Sequence, residues 1–189
     1  MAQAMRVIEG VELPPAGTYV FDTHHTTIGF VARHMLSKVR GRFTDYDGEI
    51  VIGESLEDSS AKVTIQAASV STDDEQRDGH LRTGDFFEVD TYPTLSFEST
   101  AVRPTGGNTF ELDGNLTIKG ITKPVTLQAE FSGWGPGMQG TPMAVFSAKT
   151  TVERADWDLT WNVAVETGGL LVGKKVDLEI ETELLLKQD

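Results

Sequence analysis

Lys175-Val-Asp-Leu-Glu-Ile-Glu-Thr-Glu-Leu-Leu-Leu-Lys187 is the stretch that decides the fold class. Val176, Leu178, Ile180 and Leu184 alternate with Asp177, Glu179, Glu181 and Glu183, and only Thr182 interrupts the apolar set. A strand sends successive side chains to opposite faces, so this segment has one dry face and one wet face. Helical geometry cannot segregate the same residues.

The pattern recurs upstream. Tyr19 and Phe21 alternate with Thr18 and Val20, and Ile28, Phe30, Ala32 and His34 with Thr27, Gly29, Val31 and Arg33. Val39, Gly41 and Phe43, then Ile50 and Ile52, continue it. Later runs place Val63 and Ile65, Leu95 and Phe97, Phe110 and Leu112, Leu116 and Ile118, Val125 to Phe131, and Phe146 to Val152 on dry faces. These amount to about nine or ten short strands. Asp47-Gly48, Gly106-Gly107-Asn108, Asp113-Gly114 and Lys119-Gly120 predict tight reversals, and Gly133–Gly140 is the most glycine-rich loop. Thr72–Phe87 and Asp156–Val172 break the period of two. The first predicts one short helix capped by Asp73 or Asp74, with Ser69 and Ser71 as further caps. In a closed sheet both insertions belong at one end, where they cap or gate the interior. A two-sheet sandwich shows the same alternation as a barrel of about eight strands, so spacing does not separate the two.

Composition excludes several functions. The chain has 189 residues and no cysteine, which removes thiol catalysis, thiolate metal sites and disulfides. Its formal charge of −13 disfavours nucleic acid and anionic membrane surfaces as primary partners. No apolar run reaches the ~20 residues of a membrane helix, so stable membrane insertion is not expected. Met1–Arg6 has no apolar core of a secretory signal, and the expected location is cytoplasmic. Residues 1–16 read as a flexible lead and residues 17–189 as one domain. A homodimer is the default for a soluble oligomer.

A series of motifs follows in order: Tyr19-Val-Phe-Asp22-Thr-His24, Arg40-Gly41-Arg-Phe43, Arg77-Asp78-Gly-His80-Leu81, Asp85-Phe86-Phe87, Tyr92-Pro93, Gly114-Asn-Leu116-Thr117-Ile-Lys119-Gly120, Arg154-Ala-Asp156-Trp157 and Val172-Gly173. The set resembles the YceI-like family of polyisoprenoid-binding proteins over roughly residues 17–187. The resemblance implies an all-β fold: an extended antiparallel β-barrel of about eight strands, lipocalin-like, with one or two short helices capping an end. It implies a long apolar interior that holds a polyisoprenoid, as in a polyprenyl phosphate or an isoprenoid quinone, with no other cofactor required. Many relatives are periplasmic. Two places depart from the family pattern: His24-His25, where His-Ser is common, and Arg154-Ala-Asp-Trp-Asp158, where Arg-x-Asp-Phe-Gly is common.

With that resemblance, the expected wall for an apolar tail is Ile28, Phe30, Phe43, Val63, Ile65, Phe97, Leu116, Val176 and Leu178, with Phe86, Trp157 and Leu171 at the ends. His34, Arg77 and His80 are the candidates for a head group. Arginine grips phosphate through parallel hydrogen bonds; the competing role for Arg77 is an ion pair with Asp78 or Asp85 that pins the helix. The histidines His24, His25, His34 and His80 do not follow a zinc spacing, so no metal is expected. No Gly-x-Ser-x-Gly elbow is present, and no catalytic residue is expected. Two rival readings remain: an enzyme using His34 or His80 as acid/base on a small apolar substrate, and a structural or stress-related dimer with a filled core.

Overall fold

The structure, a computed structural model, describes residues 4–137 and 140–188. Its strands are β1 (Arg6–Ile8), β2 (Val11–Leu13), β3 (Gly17–Phe21), β4 (Thr27–His34), β5 (Ser37–Phe43), β6 (Tyr46–Ile52), β7 (Ser60–Gln66), β8 (Val70–Ser71), β9 (Thr94–Gly106), β10 (Thr109–Ile118), β11 (Ile121–Pro136), β12 (Pro142–Glu153) and β13 (Val172–Leu186). One helix, α1, spans Glu75–Leu81. Strands β12, β11, β10, β9, β7, β6, β3 and β13 pair in that order, and β12 pairs β13 in turn. The ring closes as an eight-stranded antiparallel barrel, which removes the sandwich alternative and leaves no edge in the ring.

β13 is the stave that everything else registers against. Its outer edge carries β12 from Leu185↔Met143 to Lys175↔Glu153. Its other edge carries β3 near Leu184–Leu186 and β4 along Val176–Glu181. β3 and β4 are thus two halves of one path, parted by an excursion at residues 22–26. β5 and β6 are split in the same way. Thr182, which breaks the apolar alternation, meets this excursion: its hydroxyl lies 3.0 Å from that of Thr26, whose carbonyl accepts the Tyr46 hydroxyl at 2.9 Å. The buried hydroxyl is therefore satisfied rather than left bare.

Two turn expectations fail for one physical reason. Gly48 lies inside β6, and Gly114 lies inside β10 at a register shift. A Cβ on Gly48 would stand 2.7 Å from a Phe21 ring carbon, and one on Gly114 would stand 2.3 Å from the Phe97 ring. Gly41, opposite Phe30, is covered by that ring in the same way. These glycines let phenylalanine rings fold flat over a strand. The reversals at Gly106–Asn108 and Lys119-Gly120 do form, with positive φ at Gly107, Lys119 and Gly120. The Gly133–Gly140 loop is shorter than expected, since β11 runs through Gly133 and Gly135 to Pro136; Met138 and Gln139 lie outside the described residues. Lys174-Lys175 sits within β13 at a bulge opposite β4.

Over residues 6–13 the flexible lead gives way to a hairpin. β1 and β2 pair through the Glu9-Gly10 turn, and Val11 and Leu13 are fully buried against Tyr19, Phe131 and Leu184. Val11 also bridges Gly107. Three-residue strands are too short to show alternation, yet their two apolar side chains cover one open end of the barrel. No helix among the described residues is long and apolar enough to cross a membrane.

Candidate functional site

The inward faces of the staves do not fill the barrel. A cavity of about 690 Å³ remains along its interior. Every residue expected to meet a tail lines it: Ile28 and Phe30 from β4, Phe43 from β5, Val63 and Ile65 from β7, Phe97, Leu116, Val176 and Leu178, with Phe86, Trp157 and Leu171 at the α1 end. The alternation of β13 therefore continues inward as Val176, Leu178, Ile180, Thr182 and Leu184. The cavity also runs deeper than the expected set, past Leu112 and Phe146 to a floor at Leu13, Ile52 and Leu56. The strand period marked Leu112, Ile52 and Phe146 as inward-facing; Leu13 and Leu56 carry no such signal.

At the floor the packing is closed. The Tyr19 ring is wholly buried, its hydroxyl donates to the Pro15 carbonyl at 2.8 Å, and burial pushes its pKa up to about 12. The other end is polar. Arg33, His34, Thr72, Asp74, Gln76, Arg77 and His80 all border the cavity there, and Arg33, Asp74 and Gln76 are solvent-exposed. This is the mouth, between the β4–β5 hairpin and α1. β8 pairs β5 only at Arg42 and Phe43, so the hairpin stands beyond the ring without a further strand beside it among the described residues.

α1 is positioned by its start. Asp74 is the cap, accepting the Arg77 amide at 2.9 Å. Ser69 and Ser71 do not cap it: Ser69 Oγ bonds the Gln66 carbonyl and the Thr44 amide, and Ser71 Oγ accepts from the Asp73 amide. The Arg77 partners also differ from those expected. Its Nε donates to Thr72 Oγ1 at 2.7 Å, its guanidinium reaches the Thr72 carbonyl at 3.0 Å, and Asp74 lies 3.9 Å away. Asp78 is turned inward instead, where it accepts the Thr72 amide and hydroxyl at 2.7 and 2.6 Å. Buried, that carboxylate holds the β8–α1 junction, and the Thr72 hydroxyl stands between it and Arg77 Nε. Asp85 pairs with His80 Nε2 at 2.8 Å. The His80 ring is wedged between Phe86 and Trp161, with centroids 5.1 and 4.6 Å away. The two insertions thus meet at one end of the barrel through these rings.

Sequence reading assigned no role to Arg154, although its motif was visible. The side chain is buried and lines the cavity. It donates to the carbonyls of Gly173, Leu159, Trp161 and Val172 at 2.8, 2.6, 2.9 and 3.3 Å. These bonds tie residues 158–171 to the start of β13. Burial lowers its pKa from the ordinary arginine value, and no carboxylate among the described residues pairs with it. Trp157 beside it is anchored by its Nε1, which donates to the Leu116 carbonyl at 3.0 Å.

Only one group of three potential metal ligands occurs among the described residues: Asp22, His25 and Glu183. It lies on the outer wall, and none of the three borders the cavity. His25 Nδ1 is 2.9 Å from Asp22 and 3.6 Å from Glu183, and the Asp22 hydrogen bond, followed by the Glu183 charge, raises its pKa. The four histidines are not brought together.

A closed eight-stranded barrel with a long apolar cavity and a polar mouth is the arrangement found, and the profile of the YceI-like domain matches residues 19–184. The chain belongs to the YceI-like family. It is 34% identical over 175 residues to a UPF0312 protein of Staphylococcus aureus, covering 90% of this chain and 98% of that one. The Campylobacter jejuni YceI protein superposes with a TM-score of 0.70 at 29% identity, over 82% of this chain and 90% of that chain. A polyisoprenoid binding domain from Saccharophagus degradans shares the fold, with a TM-score of 0.65 at 14% identity over 92% of this chain and all of that one.

Proposed function

We propose that this YceI-like barrel is a binding protein for a long apolar lipid, with an isoprenoid tail in the cavity and a polar head at the α1 end. One observation carries the reading: an apolar cavity of about 690 Å³ runs from a sealed floor to a mouth bordered by Arg33, Arg77, Arg154, His34 and His80, with Asp74 the one carboxylate on its lining among the described residues. That volume lies within the ~300–1,000 Å³ usual for ligand sites. Each CH₂ removed from water stabilises the complex by ~0.8 kcal/mol, so a tail of several isoprene units outweighs its ordering cost. The fold likeness to a polyisoprenoid binding domain supports the same class of ligand. A cationic mouth on a chain of net charge −13 favours an anionic or strongly accepting head. A polyprenyl phosphate or an isoprenoid quinone has such a head, and His34, Arg77 and His80 are the groups to meet it. The open cavity argues against a filled-core structural dimer.

Native mass spectrometry of protein purified without detergent tests this. The expected result is a one-to-one adduct with added polyprenyl phosphate, weakened at least ten-fold by Leu178→Trp, which fills the cavity. A bare polypeptide mass and no uptake would overturn it.

A further inference from the structure

Taking the lipid-binding reading as given, we propose that the mouth end of the barrel docks transiently on an anionic bilayer surface, so that an isoprenoid tail passes between bilayer and cavity without crossing water. The tip of the β4–β5 hairpin is the first observation. It is a two-residue turn, His34↔Ser37, whose corners are Met35 and Leu36. Met35 has φ +54°, a conformation such turns ordinarily assign to glycine, asparagine or aspartate. Leu36 is 97% exposed. Turn chemistry is broken here for an apolar tip, and local rules are broken most readily at functional sites.

The second observation is what stands beside it. The Met35 amide donates to the Leu171 carbonyl at 2.8 Å, and the Leu171 amide to the Val163 carbonyl at 2.9 Å. Val163 and Leu170 are 47% and 48% exposed. Four of the six large apolar side chains exposed among the described residues therefore lie on two hydrogen-bonded loops. Their chain neighbours His34 and Leu171 line the cavity, so the exposed patch is continuous with the mouth.

Charge decides the occupant. Arg33 and Lys38 face each other across the hairpin, and a Cβ on Gly173 would stand 3.1 Å from Arg33, which brings Lys174 and Lys175 alongside. All four cations are exposed and none has an ion-pair partner among the described residues. Arg40, in the same strand, is paired with Glu179. The acids nearby are Glu153, opposite Lys175 on β12, Asp177 two residues further along β13, Glu166 in the loop, and the start of α1, where Asp73 and Asp74 are drawn to Arg42 and Arg77 beside Glu75. The net −13 thus conceals an apolar tip flanked by four cations without ion-pair partners among the described residues, the combination that binds interfacially to anionic lipid.

Vesicle flotation tests the surface. Wild-type protein should float with vesicles of phosphatidylcholine containing about a third phosphatidylglycerol and not with phosphatidylcholine alone, with binding weakened by salt. Leu36→Asp, at an exposed site that leaves the melting temperature unchanged, should lower binding at least ten-fold. Lys174→Glu with Lys175→Glu should do the same. Val7→Asp, exposed at the opposite end, should change nothing. No flotation, or equal loss with Val7→Asp and Leu36→Asp, would overturn the proposal. Uptake of isoprenoid added from ethanol, read by native mass spectrometry, separates the two readings. Uptake without flotation sinks the docking surface alone, whereas flotation without uptake supports the surface and sinks the lipid-carrying reading.

Discussion

The two ends of the barrel are built by opposite means. At the β1–β2 end Val11, Leu13 and Tyr19 plug the ring with apolar surface, with Arg6 reaching across to Glu54 and the Gly53 carbonyl. At the α1 end the cover is polar, cationic and held by hydrogen bonds to backbone. Sealing a barrel needs only hydrophobic burial. Keeping one end accessible needs groups that hold their position without filling the space, and carbonyl-bound Arg154 and the Thr72–Asp78 junction serve that purpose.

Substitutions at either end sharpen this difference. The largest effect belongs to Arg154→Met, which removes four hydrogen bonds to carbonyls at once, although the Val172 carbonyl keeps the Asn162 amide as a donor. Urea unfolding should show a loss of about 4 kcal/mol, and lipid uptake should fall with it because residues 158–171 come loose from β13. Leu13→Ala at the floor should cost about 3 kcal/mol, the usual range for a buried leucine. Uptake should persist, since the mouth is untouched; an equal loss of uptake from both variants would break the division between plug and mouth. Gly114→Ala, midway along the wall, should cost about 2 kcal/mol through a clash with the Phe97 ring.

The smallest effect lies outside both ends. His25 has its pKa raised by Asp22 and then by Glu183. A raised folded-state pKa gives stabilisation that is complete below the ordinary histidine range and disappears as pH rises through the folded value. Asp22, lowered chiefly by its hydrogen bond from His25, contributes above the ordinary carboxylate range and loses that contribution as pH falls through its depressed value. The difference in melting temperature between wild type and His25→Ala should therefore be greatest in weakly acidic buffer and shrink toward alkaline pH. A difference constant with pH would contradict the pairing.

The strand period made most of this legible. Val176 to Leu184 gave the direction of one stave, and the same alternation elsewhere located the wall residues. Closure was not in the period, because a sandwich alternates identically; the ordered motifs supplied it. Other features carried no pattern at all. Gly48 and Gly114 look like turns because their role depends on rings from other strands. The β1–β2 plug is too short to alternate. Arg77 was paired with the wrong acids because helix spacing does not reveal that Asp78 faces Thr72. Arg154 serves carbonyls between Leu159 and Gly173, and carbonyls leave no trace in a sequence. Net charge misled in another way, since −13 averages over two unlike ends.

A crystal structure of the protein with a bound polyprenyl phosphate tests the central claim most directly. The account predicts a tail running down the barrel toward Leu13 and Leu184, with the phosphate at His34, Arg77 and His80. A phosphate at the β1–β2 end, or lipid only on the outer wall, would contradict it.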